Sequence, residues 1–308
     1  MSLLNGFTIL DFSHRLPGPM GMNVLGHLGA KVYKIEDEKF KDAFLSGLFN
    51  EFDPSFIDWY EGLNEYKDLL RLDFKSEQSI PKLHELVKNA DGIMMALPPK
   101  VRTFLKLTDE DLKQLNPNIA VIEMGASKKY KQSMHDLNAM ALTGMLSLHT
   151  QNRDERIIDP PFLPVSGIFF GQQLATDLLA AILKAKKNNE FVKTTSYLYE
   201  TAELLCKPIW SQKMRDEKRV RFLHNGAYPC YSLYRTSDGH YVGLAAVEEK
   251  FYIAFQETFN VTLEKERRFE TTEEAFNLIA QKINSLTKDQ VAKMIKGKDM
   301  CVSIVEKV

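Results

Sequence analysis

Cysteine is scarce. Cys206, Cys230 and Cys301 are the 3 cysteines of a 308-residue chain, far apart and without the spacing of a metal site. Their odd number excludes a closed disulfide framework and points to buried thiols in a reducing, cytoplasmic setting. Excess charge of either sign is also missing: 40 basic residues face 41 acidic ones, a net charge of −1 with a pI near 6.7. That balance gives no global basic field for nucleic acid or a membrane surface. The N-terminal run MSLLNGFTILDFS is broken by Asn5, Gly6 and Asp11, and no run of about eighteen consecutive apolar residues follows anywhere, so neither export nor membrane spanning is expected. Repeats and low-complexity segments are absent. So is G-x-G-x-x-G. Pro17 and Pro19 bracket Gly18 in HRLPGPMGMNVLG, so a dinucleotide-cradling turn is not expected.

What is present is strand and helix in alternation, on a chain long enough for two domains. FTILDFS (7–13) predicts a buried strand, MGMNVLGHLGA (20–30) a helix ending on Gly29, and KVYKIED a second strand ending near a solvated Glu36. Further strands are expected at 69–74, 92–97 and 119–124, so the first half reads as α/β, a Rossmann-like doubly wound parallel sheet. Residues 38–68, rich in Phe, Asp and Lys without clean periodicity, read as a surface excursion of the lid or binding-loop kind. Helices are expected in KSEQSIPKLHELVKNAD, capped by Ser76, and in LTDEDLKQLNP, capped by Thr108.

In SMHDLNAMALTGML (133–146) apolar residues recur at helical spacing, which predicts one helix with His135 and Asp136 at its mouth. A first turn carries unpaired N–H groups and the positive dipole end. Both favour an ionised carboxylate, the form of Asp136 able to attack a carbonyl or thioester. Capping of its own helix is the plain alternative. The loop TQNRDERIIDPPFLP follows, then GIFFGQQLATDLLAAILKAKK as a long buried helix with Asp177 on its outer face. TTSYLYETAELLCKPIW reads as one more helix, up to Pro208. The expected organisation is a large domain over 1–212, a charged linker over 213–227, and a small α+β domain over 228–308. The small domain opens with a hairpin turning on the Asp-Gly pair of SDGH, continues through three helices and ends in the strand CVSIV.

Four stretches together resemble the family III CoA-transferases (CaiB/BaiF), and within them the α-methylacyl-CoA racemase branch. They are LLNGFTILDFSHRLPGPMGMNVLGHLGAKVYKIE, LRLDFKSEQSIPKLHELVKNADGIM, MHDLNAMALTGMLS and GAYPCYSLYRTSDGHYVGLAAVEEKFY, in family order. The resemblance implies that fold and an interlocked homodimer, with Asp136 and His135 of one chain opposite Glu248 of the other. It implies Asp136 as a nucleophile that carries an acyl group and then CoA. In the racemase reading, His135 is instead a base tuned by Glu248. It implies acyl-CoA and a carboxylic acid as substrates, with no permanent cofactor and no metal. CoA contacts would come from Arg15, Pro17, Gly18, Lys67, Lys100, Arg102 and Gly125.

The chain also departs from that pattern. Gly167 stands where a racemase carries its second base, so two-base chemistry needs Asp159 or a residue from elsewhere. Glu65, Asp68, Pro98 and Pro99 replace elements of the basic phosphate contacts. Each lost guanidinium contact is worth roughly 1.5–3 kcal/mol. Lys67, Lys100 and Arg102 are the residues placed to compensate, with solvated surface charge as their plain alternative. The stop at Val308 omits the return to the large domain. Three readings follow: a transferase using Asp136, a racemase using His135, and a scaffold subunit without turnover.

Overall fold

The computed structural model describes residues 2–151, 153–217 and 220–307. Asn152 of the loop after the central stretch, and Lys218 and Arg219 of the expected linker, lie outside the described residues. The chain divides into two compact units, Met1–Arg215 and Asp216–Val308.

The first unit is built on six parallel strands: β1 (Thr8–Asp11), β2 (Lys31–Asp37), β3 (Asp68–Leu72), β4 (Gly92–Met95), β5 (Ala120–Gly125) and β6 (Val192–Tyr197). Their order is β3-β2-β1-β4-β5-β6. The central strands are apolar on both faces because both faces are covered. Ile9, Met94 and Ile122 pack on one side with Met22, Leu25, Leu174 and Leu178 from the helices Pro17–His27 and Val165–Asn188. Leu10, Ile93 and Val121 pack on the other with Leu83, Val87 and Leu112 from the helices Ser79–Lys88 and Asp109–Leu115. This is the doubly wound sandwich expected.

Several local expectations are corrected. TTSY belongs to a strand, and the helix begins only at Leu198. β6 is an edge strand, so its polar, half-exposed pattern VKTTSY carries no apolar stripe to announce it. Asp177 is not a free outer-face residue: it accepts from Gln173 at 2.7 Å and from the Ser196 hydroxyl of β6. Ser76 does not cap the helix, which starts at Ser79; its hydroxyl closes a local turn to the Gln78 N–H. Thr108 does form its capping box with Asp111. Pro17 takes the first helical position, where a missing N–H costs nothing, so that helix starts three residues earlier than expected.

The helix Val165–Asn188 is long and apolar enough to cross a membrane by length and composition. It lies in the core described above, with Leu174 and Leu178 fully buried.

The second unit is α+β. Strands β7 (Tyr231–Arg235), β8 (Tyr241–Ala245) and β9 (Val302–Ile304) form an antiparallel sheet in the order β7-β8-β9. The hairpin turns at Gly239, whose φ of 85° suits a residue without Cβ. Tyr252, Phe255, Phe259, Ile279 and Val291 from three helices fill its core. Cys206 and Cys230 are buried as expected, whereas Cys301 is exposed just before β9.

Candidate active site

The strand order reverses between β1 and β4, and a crevice outside the carboxyl ends of the strands is the usual place for a ligand there. The first unit has a cavity at that point. It encloses about 670 Å³ and is lined by His14–Pro17 after β1, Ala96 after β4, Met124 of β5, and residues 134–137. That volume lies within the range of small-molecule sites.

The stretch expected as one helix is two: Asp136–Leu142 and Met145–Thr150. Gly144 between them adopts φ 87°, a left-handed conformation that ends the first helix. His135 is the residue before the first helix, exposed, with its backbone N–H donated to Asn138 Oδ1 at 3.0 Å. Asp136 is the first helical residue, and its side chain turns away from its own helix. Oδ1 accepts the Gly167 N–H at 2.7 Å. Pro164, at the cap position of the helix Val165–Asn188, offers no side-chain bond, so Asp136 caps that helix from a distant part of the chain. Burial raises the Asp136 carboxyl above the ordinary aspartate range, against the pull of the Gly167 and Ser166 N–H groups. The result is a carboxylate on a cavity wall, more basic than a solvated one.

Gly167 lines the same cavity. A Cβ there would stand 3.6 Å from Asp136 Oδ1 and 3.0 Å from Leu16 Cδ2. The position therefore supplies an N–H donor and carries no acid or base. Asp159 is exposed and absent from the described lining.

A buried ionic cluster fixes the turn after β1. Lys67 has no exposed side chain, and its ammonium donates to Asp11 Oδ2 at 2.8 Å, Pro19 O at 2.7 Å and Asn64 Oδ1 at 2.8 Å. Three donors with three acceptors leave nothing for a phosphate, so Lys67 is a structural cation and not a CoA contact. Burial would raise the Asp11 carboxyl, but Lys67 and Lys34 bring it down to about 2. Glu36 is fully buried, against the expectation of a solvated strand end. Its Oε1 accepts from Tyr60 OH at 3.0 Å, and Arg71 Nε lies 3.4 Å from Oε2.

Arg102 is likewise engaged elsewhere: it bridges Glu123 at 2.8 Å and Asp109, and donates to Leu107 O at 3.1 Å. Lys100 is exposed on the helix Pro99–Phe104. Arg15 is exposed on the cavity rim, and Pro17 lines the cavity. Gly18 and Gly125 make room for neighbours, since added Cβ atoms would stand 2.3 Å from the Ser13 side chain and 2.5 Å from the Tyr197 ring. Glu248 is exposed in the second unit, at the cap position of the helix Glu249–Phe259, and makes no side-chain cap bond.

Sequence reasoning missed most of the apolar wall. Phe44, Phe49, Phe56 and Trp59 line the cavity from the excursion 38–68, which carries the helices Leu48–Phe52 and Phe56–Asn64. Their ring centroids are 5.0–6.1 Å apart, an interlocked cluster. Buried Asp42 fastens this segment to the turn after β1: its carboxylate accepts from Arg15 N at 2.8 Å and Phe44 N at 3.0 Å, with His14 Nδ1 at 3.5 Å. Burial would raise the Asp42 carboxyl, yet His14 and these N–H groups hold it below the ordinary range. The density of Phe in the excursion was the signal available. Its lack of period hid which faces point inward.

Among the described residues His14, Glu36 and Asp42 bring donor atoms within 4.8 Å of one another. Arg71 and Lys34, 3.4 and 3.8 Å from Glu36, already supply the positive charge there. A groove of about 480 Å³ also runs along β6. Its carboxylates, Asp177 and Glu200, are both held in hydrogen bonds, the latter by Ser127 and the N–H groups of Lys128 and Lys129.

Comparison with known proteins agrees with this architecture. The chain is 25% identical over 260 residues to human α-methylacyl-CoA racemase, covering 81% of this chain and 63% of that protein. It is 28% identical over 204 residues to a probable fatty acyl-CoA transferase of Mycobacterium tuberculosis, covering 65% and 51%. It is 25% identical over 238 residues to the formyl-CoA:oxalate CoA-transferase of Escherichia coli, covering 74% and 54%. The chain thus matches roughly half to two thirds of the length of these relatives. A solved CaiB/BaiF family protein from Brucella suis superposes with a TM-score of 0.74 at 18% identity, covering 99% of this chain and 84% of that one. The model of one family, CoA-transferase family III, matches residues 4–308, and with the reversed strand order and the carboxylate at its crevice this chain belongs to that family.

Proposed function

We propose that this protein is an acyl-CoA enzyme that moves CoA between carboxylic acids through a covalent intermediate on Asp136. The observation that carries this reading is the Asp136 carboxylate on the cavity wall, made more basic by burial and held through Oδ1 by the Gly167 N–H. The grip on one oxygen orients the group, as nucleophilic catalysis requires.

In the proposed reaction the carboxylate attacks the thioester carbon, the C–S bond breaks, and CoA leaves as thiolate while a mixed anhydride forms on Asp136. The thiolate then attacks the aspartyl carbonyl, which releases the first acid as its carboxylate and leaves CoA on Asp136 as a thioester. An acceptor carboxylate attacks that thioester and displaces CoA thiolate, giving a second mixed anhydride. The thiolate returns to the acceptor's carbonyl, which delivers the new acyl-CoA and frees Asp136. Charge and atoms balance without an outside oxidant or metal. Arg15 on the rim and exposed Lys100 are the proposed contacts for CoA phosphates. A homodimer in which the partner's Glu248 approaches His135 belongs to the same proposal.

Gly167 disfavours two-base racemisation, because it offers an N–H where that chemistry needs a proton carrier. Incubation with an acyl-CoA followed by hydroxylamine and peptide mass spectrometry tests the choice. A hydroxamate on Asp136 is the expected result. Deuterium entering the α-carbon without that adduct would favour the His135 racemase, and neither signal, with no thermal shift by CoA, would favour a scaffold.

A further inference from the structure

We propose that the aromatic segment 44–59 forms a fixed apolar wall that makes the acyl group of the substrate an aliphatic chain or aromatic ring and excludes one carrying a second carboxylate. The inference rests on the acyl-CoA reading above and adds the substrate class. Three observations carry it.

The wall is preassembled. Phe44 stacks on Phe56 at 5.0 Å and 24° between planes, and Phe49 and Trp59 meet the pair edge-on. It is also anchored. Asp42, 1% exposed, joins the Phe44 N–H to the Arg15 N–H, so the aromatic face is tied to the same turn that supplies the cavity's other wall. Such a wall loses little ordering entropy when an apolar group packs on it.

The polar groups are badly placed for a second carboxylate. Among the described lining residues Arg15 is the one permanent cation. It is exposed, with its guanidinium 5.8 Å from the Phe49 ring centroid. The same cavity is lined by Met124, Met134 and Met140, whose flexible thioethers adapt to varied apolar shapes. An ionised group lodged against the rings would lose its water, and the permanent cation nearest them, Arg15, is the group proposed above for the CoA phosphates.

The test compares octanoyl-CoA, phenylacetyl-CoA and succinyl-CoA on the full chain, both by calorimetric binding and by rate of Asp136 labelling. The two apolar thioesters should bind and label better than succinyl-CoA by about 100-fold or more. Trp59→Ala should weaken octanoyl-CoA by about 10-fold more than it weakens succinyl-CoA. Trp59→Arg should reverse the order, and its gain for succinyl-CoA guards against mere misfolding. Equal binding of octanoyl-CoA and succinyl-CoA, or binding of neither, would overturn the wall as a selector. If octanoyl-CoA binds preferentially but Asp136 is never labelled, the transferase reading fails and the apolar selection stands.

Discussion

The Gly167 N–H donates to Asp136 Oδ1 at 2.7 Å, across 31 residues of sequence. A carboxylate in the first turn of a short helix thereby closes the open end of a 24-residue one. The positive end of that longer helix faces the proposed nucleophile.

Asp136→Asn keeps an oxygen acceptor for Gly167 but loses the nucleophile. CoA transfer should fall by at least about 1,000-fold with the fold intact. Steady-state rates beside a circular dichroism melt check this.

The same substitution should be at least as stable as the parent near neutral pH. The raised Asp136 carboxyl means that the folded state holds its proton to higher pH than the unfolded chain does. Stability therefore declines as pH rises from the ordinary aspartate value through the folded one, and the parent recovers its deficit below both. Urea titrations of parent and variant at pH 3 and pH 7 measure the recovery.

Lys67→Met should destabilise the first unit by about 3–5 kcal/mol, since the buried Asp11 carboxylate would lose its contacting ammonium and keep only the Ser13 donors and the more distant Lys34 charge. In the parent, Asp11 is held at about 2 against an ordinary 3.8, so its stabilisation is complete above the ordinary value and is lost as pH falls toward 2. Denaturant midpoints over that range should fall steeply in the parent and less in an Asp11→Asn, Lys67→Met pair.

Arg102→Met should lower stability by about 1–3 kcal/mol, through loss of its bridges to Asp109 and Glu123, and leave CoA affinity within about twofold. Lys100→Ala should do the reverse. Thermal melts paired with CoA titrations separate the two roles.

Gly167→Asp would set a second carboxylate beside the first. Like charges raise the pKa of one member, so the acid limb of the transfer rate should move upward, and a gain of α-proton exchange would favour the His135 racemase reading. A pH–rate profile and deuterium incorporation decide this.

The interior of the sheet was legible because its strands announce themselves. TILD, GIMM and the start of AVIEMG are apolar runs that only a covered parallel sheet requires. The Asp136 position was legible for the same reason, as a polar pair at the start of a periodic run. β6 was hidden by its edge location. Lys67 and Glu36 were misread because a charged residue in sequence declares neither its burial nor its partner. Their partners Asp11, Tyr60 and Arg71 come from other strands and from the excursion. The cap given by Asp136 to the long helix could not be seen either, since it joins segments separated by a charged, proline-rich loop.

Asp42 secures the aromatic segment at a single carboxylate, while the proposed nucleophile, Asp136, sits on a separate element of the cavity lining. On the proposed reading, taste and chemistry are carried by different cassettes. A transplanted stretch that preserved Asp42 and its two amide grips should change the preferred acyl group and leave the geometry around Asp136 intact.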